Sequence, residues 1–121
     1  MAKKRPFRFA DQAFDQVFAH GGGAPILTRR VLNKSPESIL NFIDFTILPP
    51  GGHIGTHTHT MDNEEIYIII TGAGEMVTDG EKIGVNAGDV IINRPGGSHG
   101  LLNTGATDMR LVVIEIPWKT Q

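Results

Sequence analysis

The chain has 121 residues, enough to close one hydrophobic core and too few for two independent domains. With 11 Lys and Arg against 13 Asp and Glu its net charge is −2, so there is no basic field to attract nucleic acid or anionic lipid. It contains no cysteine, which excludes disulfides and thiolate ligands and leaves histidine and carboxylate as the strong metal-binding side chains.

The opening stretch "MAKKRPFRFADQAF" is basic but has no apolar run behind it, so it does not read as a signal peptide. No segment approaches transmembrane length, and a soluble cytoplasmic protein is expected. Residues 1–23 read as an N-terminal arm, and 24–121 as the folded domain. Within the arm, Phe14, Val17 and Phe18 recur at spacings of three and four, which predicts a short helix from Asp11 to Ala19, ended by "HGGGAP". That glycine-rich segment lacks the strand-to-helix context of a phosphate loop and reads as a flexible connector. Phe7, Phe9, Phe14 and Phe18 would be awkward in water, so the arm is expected to pack on the domain or on a partner subunit.

From residue 24 onward, glycines and prolines punctuate short β-branched runs, the rhythm of an all-β sandwich or barrel. Strands are predicted at 24–32, 39–48, 53–59, 64–71, 74–78, 81–85, 89–93, 98–103 and 109–116. Asp79-Gly80 tolerates positive φ and suits a two-residue hairpin turn. On the strand at 64–71, Glu65, Tyr67, Ile69 and Thr71 share one face, and Ile66, Ile68 and Ile70 make the other wholly apolar. Both faces are therefore expected to be covered, the apolar one by the arm or by a second copy in a homodimer.

The segment "GGHIGTHTHTMDNEEIYIII", residues 51–70, places His57 and His59 one residue apart. On a strand both imidazoles project to one side, with Cα atoms roughly 6.5 to 7 Å apart, and can converge on one ion. If the turn "MDN" closes an antiparallel hairpin, Glu65 returns beside the pair and adds a carboxylate. His99, in "NRPGGSHGLLN", is the fourth candidate. Three imidazoles and one carboxylate suit a divalent transition metal and leave one or two positions for water, substrate or dioxygen. Manganese, iron, nickel, copper and zinc all accept such a set. The alternative is a group of histidines satisfied by backbone hydrogen bonds. His20 and His53 read as solvated loop or turn residues. Arg94 and Asn103 read as turn or hairpin support. Arg30 and Arg110 lie in predicted strands, where an inward-facing one would select for a carboxylate.

These residues carry a resemblance. The chain is similar to the single-domain cupins, small double-stranded β-helix (jelly-roll) barrels marked by two motifs. The first motif runs Gly, five residues, His-x-His, three or four residues, Glu, six residues, Gly. Gly51, His57, His59, Glu65 and Gly72 follow it, except that five residues separate His59 from Glu65. Glu64 would restore that gap but break the spacing to Gly72, so Glu65 is preferred. The second motif is matched by Gly88, Gly96, His99 and Asn103, with Arg94 at the position where the family has proline and Pro95 displaced by one. The resemblance implies a jelly-roll fold and a divalent metal on His57, His59, Glu65 and His99. It leaves the reaction open, because cupins include dioxygenases, decarboxylases, isomerases and binding proteins. The leading expectation is a metal-dependent enzyme acting on a small polar molecule, with Tyr67 and Glu64 as candidates for the acid or base. The rival is a non-catalytic small-molecule or metal-binding module.

Overall fold

The computed structural model describes residues 5–118. Ten strands form two antiparallel sheets. They are β1 (Asp15–Val17), β2 (Ile26–Asn33), β3 (Phe42–Leu48), β4 (His53–Thr58), β5 (Asn63–Thr71), β6 (Ala73–Thr78), β7 (Glu81–Asn86), β8 (Val90–Asn93), β9 (Ser98–Leu102) and β10 (Met109–Pro117). The larger sheet runs β1-β2-β3-β10-β5-β8 and the smaller β4-β9-β6-β7. Nine of these strands fall where the alternation predicts them. Asp79 (φ 47°) and Gly80 (φ 84°) turn the β6–β7 hairpin, with Thr78 opposite Glu81. Positive φ at both central residues is what matches a two-residue turn to the strand twist.

The core lies between the sheets. Leu48, Tyr67, Ile69, Met76, Leu101, Met109 and Leu111 are all buried there. Each aliphatic side chain so buried contributes about 1.5–3 kcal/mol, so this layer fixes the strand register, and the register places the polar residues that follow. Inward-facing positions continue past the core to one end of the barrel. There Glu65 lies between Asn93 on β8 and Glu115 on β10, and Tyr67 shares the next rung with Val113 and, beyond it, Asp44 and Arg30.

Two expectations are corrected. No α-helix forms at Asp11–Ala19: residues Phe9–Asp11 and Ala19–Gly21 make 3₁₀ turns, and Asp15–Val17 is a strand added to the edge of β2. The apolar spacing there does not serve one face. Phe14 meets Phe9, Val17 packs against the core and Phe18 stays exposed, while the free edge of β2 offers hydrogen bonds that a lone helix of this length cannot match. Second, β4 and β5 do not form a hairpin. The turn between them carries the chain from the smaller sheet to the larger, β4 pairing with β9 and β5 with β10 and β8. Glu65 therefore meets the histidines across the barrel.

The arm also lies elsewhere than over the isoleucine face. Phe9 stacks on Phe45 of β3, ring centroids 4.8 Å apart, and Ile70, Val90 and Ile92 on the outer face of β5 and β8 remain exposed.

Candidate metal centre

The smaller sheet supplies three imidazoles. His57 on β4 and His99 on β9 are direct cross-strand partners, and His59 follows two residues after His57, its amide tied to the Gly97 carbonyl at 3.0 Å. The larger sheet supplies Glu65. One ligand atom from each of His57, His59, Glu65 and His99 lies within 4.8 Å of all the others. These are the four residues singled out in the sequence, and they are positioned to bind a metal. Glu65 and His99 are buried, and His57 and His59 are partly so.

The hydrogen bonds fix how the rings are presented. His57 Nδ1 donates to the Gly55 carbonyl at 2.8 Å, which leaves Nε2 as a lone pair. Asn63 does the same for His59. Its amide nitrogen donates to Thr60 Oγ1 and Asp62 Oδ1, both at 3.0 Å, so its oxygen faces His59 Nδ1 at 2.7 Å and places the proton there. In the neutral rings two lone pairs thus face each other at 3.1 Å, with Glu65 Oε1 lying 3.5 Å from His59 Nε2 and 3.2 Å from His99 Nε2. Converging lone pairs and a carboxylate repel unless a proton on His59 Nε2 or a metal ion lies among them. Donors about 2.1 Å from one ion stand about 3.0 Å apart at a right angle and about 3.4 Å apart at the tetrahedral angle, so the three measured separations fit a shared ion.

Protonation follows the same geometry. Burial lowers the His57 pKa to about 4, and the neighbouring imidazoles add to the effect. The hydrogen bond to Glu65 raises that of His59 against the opposing effect of burial. Burial pushes the Glu65 carboxyl up, but the hydrogen bonds and charges of His59 and His99 together outweigh it and bring it down to about 2. Glu65 is thus an anion at any physiological pH.

A cavity of about 170 Å³ adjoins the cluster, touching Glu65 and Tyr67 at one end and Thr28, Arg30 and Asp44 at the other. Drug-sized ligands occupy about 300–1,000 Å³, so this one suits a molecule of a few heavy atoms. Arg30 faces inward and is held by Asp44 through two bonds, Nε–Oδ1 at 2.9 Å and Nη2–Oδ2 at 3.1 Å, with its guanidinium 4.0 Å over the Phe42 ring. Arg110 does not reach the cluster and lies near Asp108, 3.8 Å away. Tyr67 is buried edge-on to the His99 ring, and burial together with the nearby Glu65 charge raises its pKa well above the usual value. Glu64, on the opposite face of β5, accepts a hydrogen bond from Arg94 at 3.0 Å and is not among the four. Asn103 braces a loop, its amide nitrogen donating to the Leu48 and Thr107 carbonyls, both at 2.8 Å. His53 accepts a hydrogen bond from the Gly23 amide.

Four polar residues escaped the sequence reading. His20, expected in a solvated loop, stacks on His57. Asn63 orients His59. Glu115 is the cross-strand neighbour of Glu65, its pKa raised by burial, and accepts from Asn41 Nδ2 at 3.1 Å. Asn93 sits on the other side of Glu65, and both polar atoms of its amide are buried without a partner. Strand parity held a signal for three of these, since 63, 65 and 67 share a face of β5, and Glu115 and Asn93 are its register partners. Nothing in the sequence brings His20 to β4.

A jelly-roll barrel whose two sheets bring three histidines and a glutamate together at one end defines the cupin class. The chain belongs to that family: the cupin-domain family model matches residues 44–115, more than half of it. The chain is 39% identical over 69 residues to a Thermotoga maritima protein named oxalate-binding protein, the match covering 57% of this chain and 56% of that one. It is 35% identical over 71 residues to an uncharacterised protein of Methanocaldococcus jannaschii, covering 59% and 56%. The chain thus spans little more than half the length of the curated relatives it matches. Among solved structures, a predicted oxalate decarboxylase from Thermotoga maritima superposes with a TM-score of 0.88 at 28% identity, over 94% of this chain and all of that one. A putative sugar phosphate isomerase from Acidithiobacillus ferrooxidans shares the fold, with a TM-score of 0.77 at 14% identity over 89% and 70%. Among the described residues no helix is long and apolar enough to cross a membrane.

Proposed function

We propose that this protein holds a divalent transition ion on His57, His59, Glu65 and His99, captures on it a small carboxylate of about the size of oxalate, and turns that ligand over. The observation that carries the reading is the convergence of four donor atoms within 4.8 Å beside a cavity that admits only a few heavy atoms. The likeness to an oxalate-binding protein supports the ligand class. A bound ion would polarise a ligand oxygen as a Lewis acid. The chain's own residues do the rest: Asn63 and Gly55 hold the imidazoles in the metal-facing tautomer, and Glu65 supplies the negative charge. Arg30 offers the guanidinium edge that Asp44 leaves free to the far end of the ligand. Val17, Ile26, Ile54 and Val113 line the cavity between these ends and make that stretch of wall apolar.

Capture without turnover is the second reading, favoured by one observation. Glu64 is paired with Arg94 on the far face of β5, and burial beside the Glu65 charge holds the Tyr67 hydroxyl protonated, so neither is a free base. Calorimetry of oxalate against metal-loaded and metal-stripped protein tests capture. The expected result is binding to the loaded form alone; equal binding by both forms contradicts it. Formate, carbon dioxide and oxygen uptake measured on the same samples then separate turnover from storage.

We also propose that the exposed strip of Ile70, Val90 and Ile92 is covered by a second copy of the chain. Its continuation through Ile66 and Ile68, in register with Ile92 and Val90, supports this arrangement.

A further inference from the structure

His20 lies in the Ala19–Gly21 turn, just ahead of β2, and among the described histidines it alone lines the cavity. Its ring lies flat on that of His57, with centroids 3.5 Å apart and planes 8° from parallel. His57 thus lies behind it, and none of the three ligand imidazoles lines the cavity. The backbone is arranged to keep it there. His20 occupies the left-handed region (φ 52°, ψ 41°), which costs a residue with a Cβ about 1–2 kcal/mol and persists only where the surroundings enforce it. They do so through two close approaches of bare backbone: a Cβ on Gly55 would run into the His20 carbonyl, and one on Gly22 into the His53 carbonyl. The Gly23 amide adds a hydrogen bond to His53 Nδ1 at 3.2 Å. Backbone strain, glycine-only packing and an aromatic stack all converge on one side chain that no core packing requires.

We propose that His20 is a specificity-determining residue of the metal site: its ring is the wall that a small anion must touch in moving from the cavity to the ion, and one of its nitrogens hydrogen-bonds that anion. This rests on the metal-site reading above.

Cobalt(II)-loaded full-length protein provides the test, because its visible absorption reports the ion independently of any turnover. His20→Phe keeps a flat ring over His57 and removes both nitrogens. His20→Asn tolerates the left-handed backbone and removes the ring. Cobalt affinity and the resting spectrum are expected to stay within about twofold of wild type in both variants, while oxalate and azide dissociation constants rise about tenfold or more in His20→Phe, the worth of one hydrogen bond. Unchanged anion affinity in both variants overturns the proposal. So does a cobalt affinity that falls as far as the anion affinity, since His20 would then only brace His57. Wild-type protein that binds cobalt and azide but not oxalate contradicts the carboxylate reading, and the azide titration still decides His20. Absence of any cobalt band in the wild type overturns both. Melting curves of both variants, expected to match that of the wild type, separate a loss of anion affinity from a loss of fold.

Discussion

Asn63 decides which nitrogen His59 turns toward Glu65, although it is not itself a ligand in the cluster. An outer partner of this kind fixes tautomer and ring direction, and its loss costs about 10–100-fold in metal affinity. Asn63→Ala is therefore expected to weaken metal binding by that factor with little change in melting temperature, and Asn63→Asp, which keeps the acceptor, is expected to restore much of it. Competition with a chromophoric chelator measures both. Acid acts on the same residues. In the metal-free protein His57 takes up its proton near pH 4 when folded and near 6.5 when unfolded, so the unfolded chain gains the proton first and stability falls as pH drops from 6.5 to about 4. Glu65, held near 2 against an ordinary value of 4.5, adds a loss of the same sign from pH 4.5 downward. His59 runs the other way, its raised pKa giving stability that is complete below 6.5 and lost above its folded value. Thermal melts of metal-free protein should accordingly fall steadily from pH 6.5 to 4. A flat profile across that window would contradict the neutral His57. Because metal binding needs His59 Nε2 free of its proton, calorimetry at pH 6.5 in buffers of different ionisation enthalpy should also register proton release.

At the scale of elements, strands were easier to anticipate than connections. Period-two alternation and the Asp79-Gly80 turn are local features, and the core layer of Leu48, Ile69, Leu101 and Leu111 forces the strands into the register they predict. The motif spacing marked all four ligands for the same reason: each lies on or beside a strand whose parity is fixed. What stayed hidden depends on distant partners. The crossing from β4 to the opposite sheet cannot be told from a hairpin by the residues of the turn. The arm's helical spacing was overridden by the open edge of β2, and His20 reaches the site only because Gly55 lets two backbones touch. Asn103 illustrates a motif residue with a structural role. Besides its two donated bonds, its side-chain oxygen accepts from the Gly105 amide at 2.9 Å. Asn103→Ala removes three buried or partly buried hydrogen bonds, and at about 1 kcal/mol each the expected loss is about 3 kcal/mol in a denaturant titration. Metal affinity per folded molecule should not change. A loss below about 1 kcal/mol would mean that water replaces these bonds.

For the molecule as a whole, the two faces of the larger sheet have different roles. Its inner face closes the barrel over the cluster of three histidines and Glu65, and its outer face is divided between the arm, which seats Phe9 on Phe45, and the open strip on β5 and β8. Sedimentation of the wild type is expected to show a dimer, and Val90→Glu with Ile92→Glu a folded monomer; a monomeric wild type would contradict the second-copy proposal. The central claim is that residues from β4, β5 and β9 and the turn after β4 enclose one ion. Elemental analysis of protein purified without added metal, beside His57→Ala, Glu65→Gln and His99→Ala variants that retain the wild-type circular dichroism, tests it most directly. The account predicts close to one transition ion per wild-type chain and a large loss of metal in every variant. Full metal content in the variants, or a wild type that takes up no transition metal even when it is supplied, would contradict it.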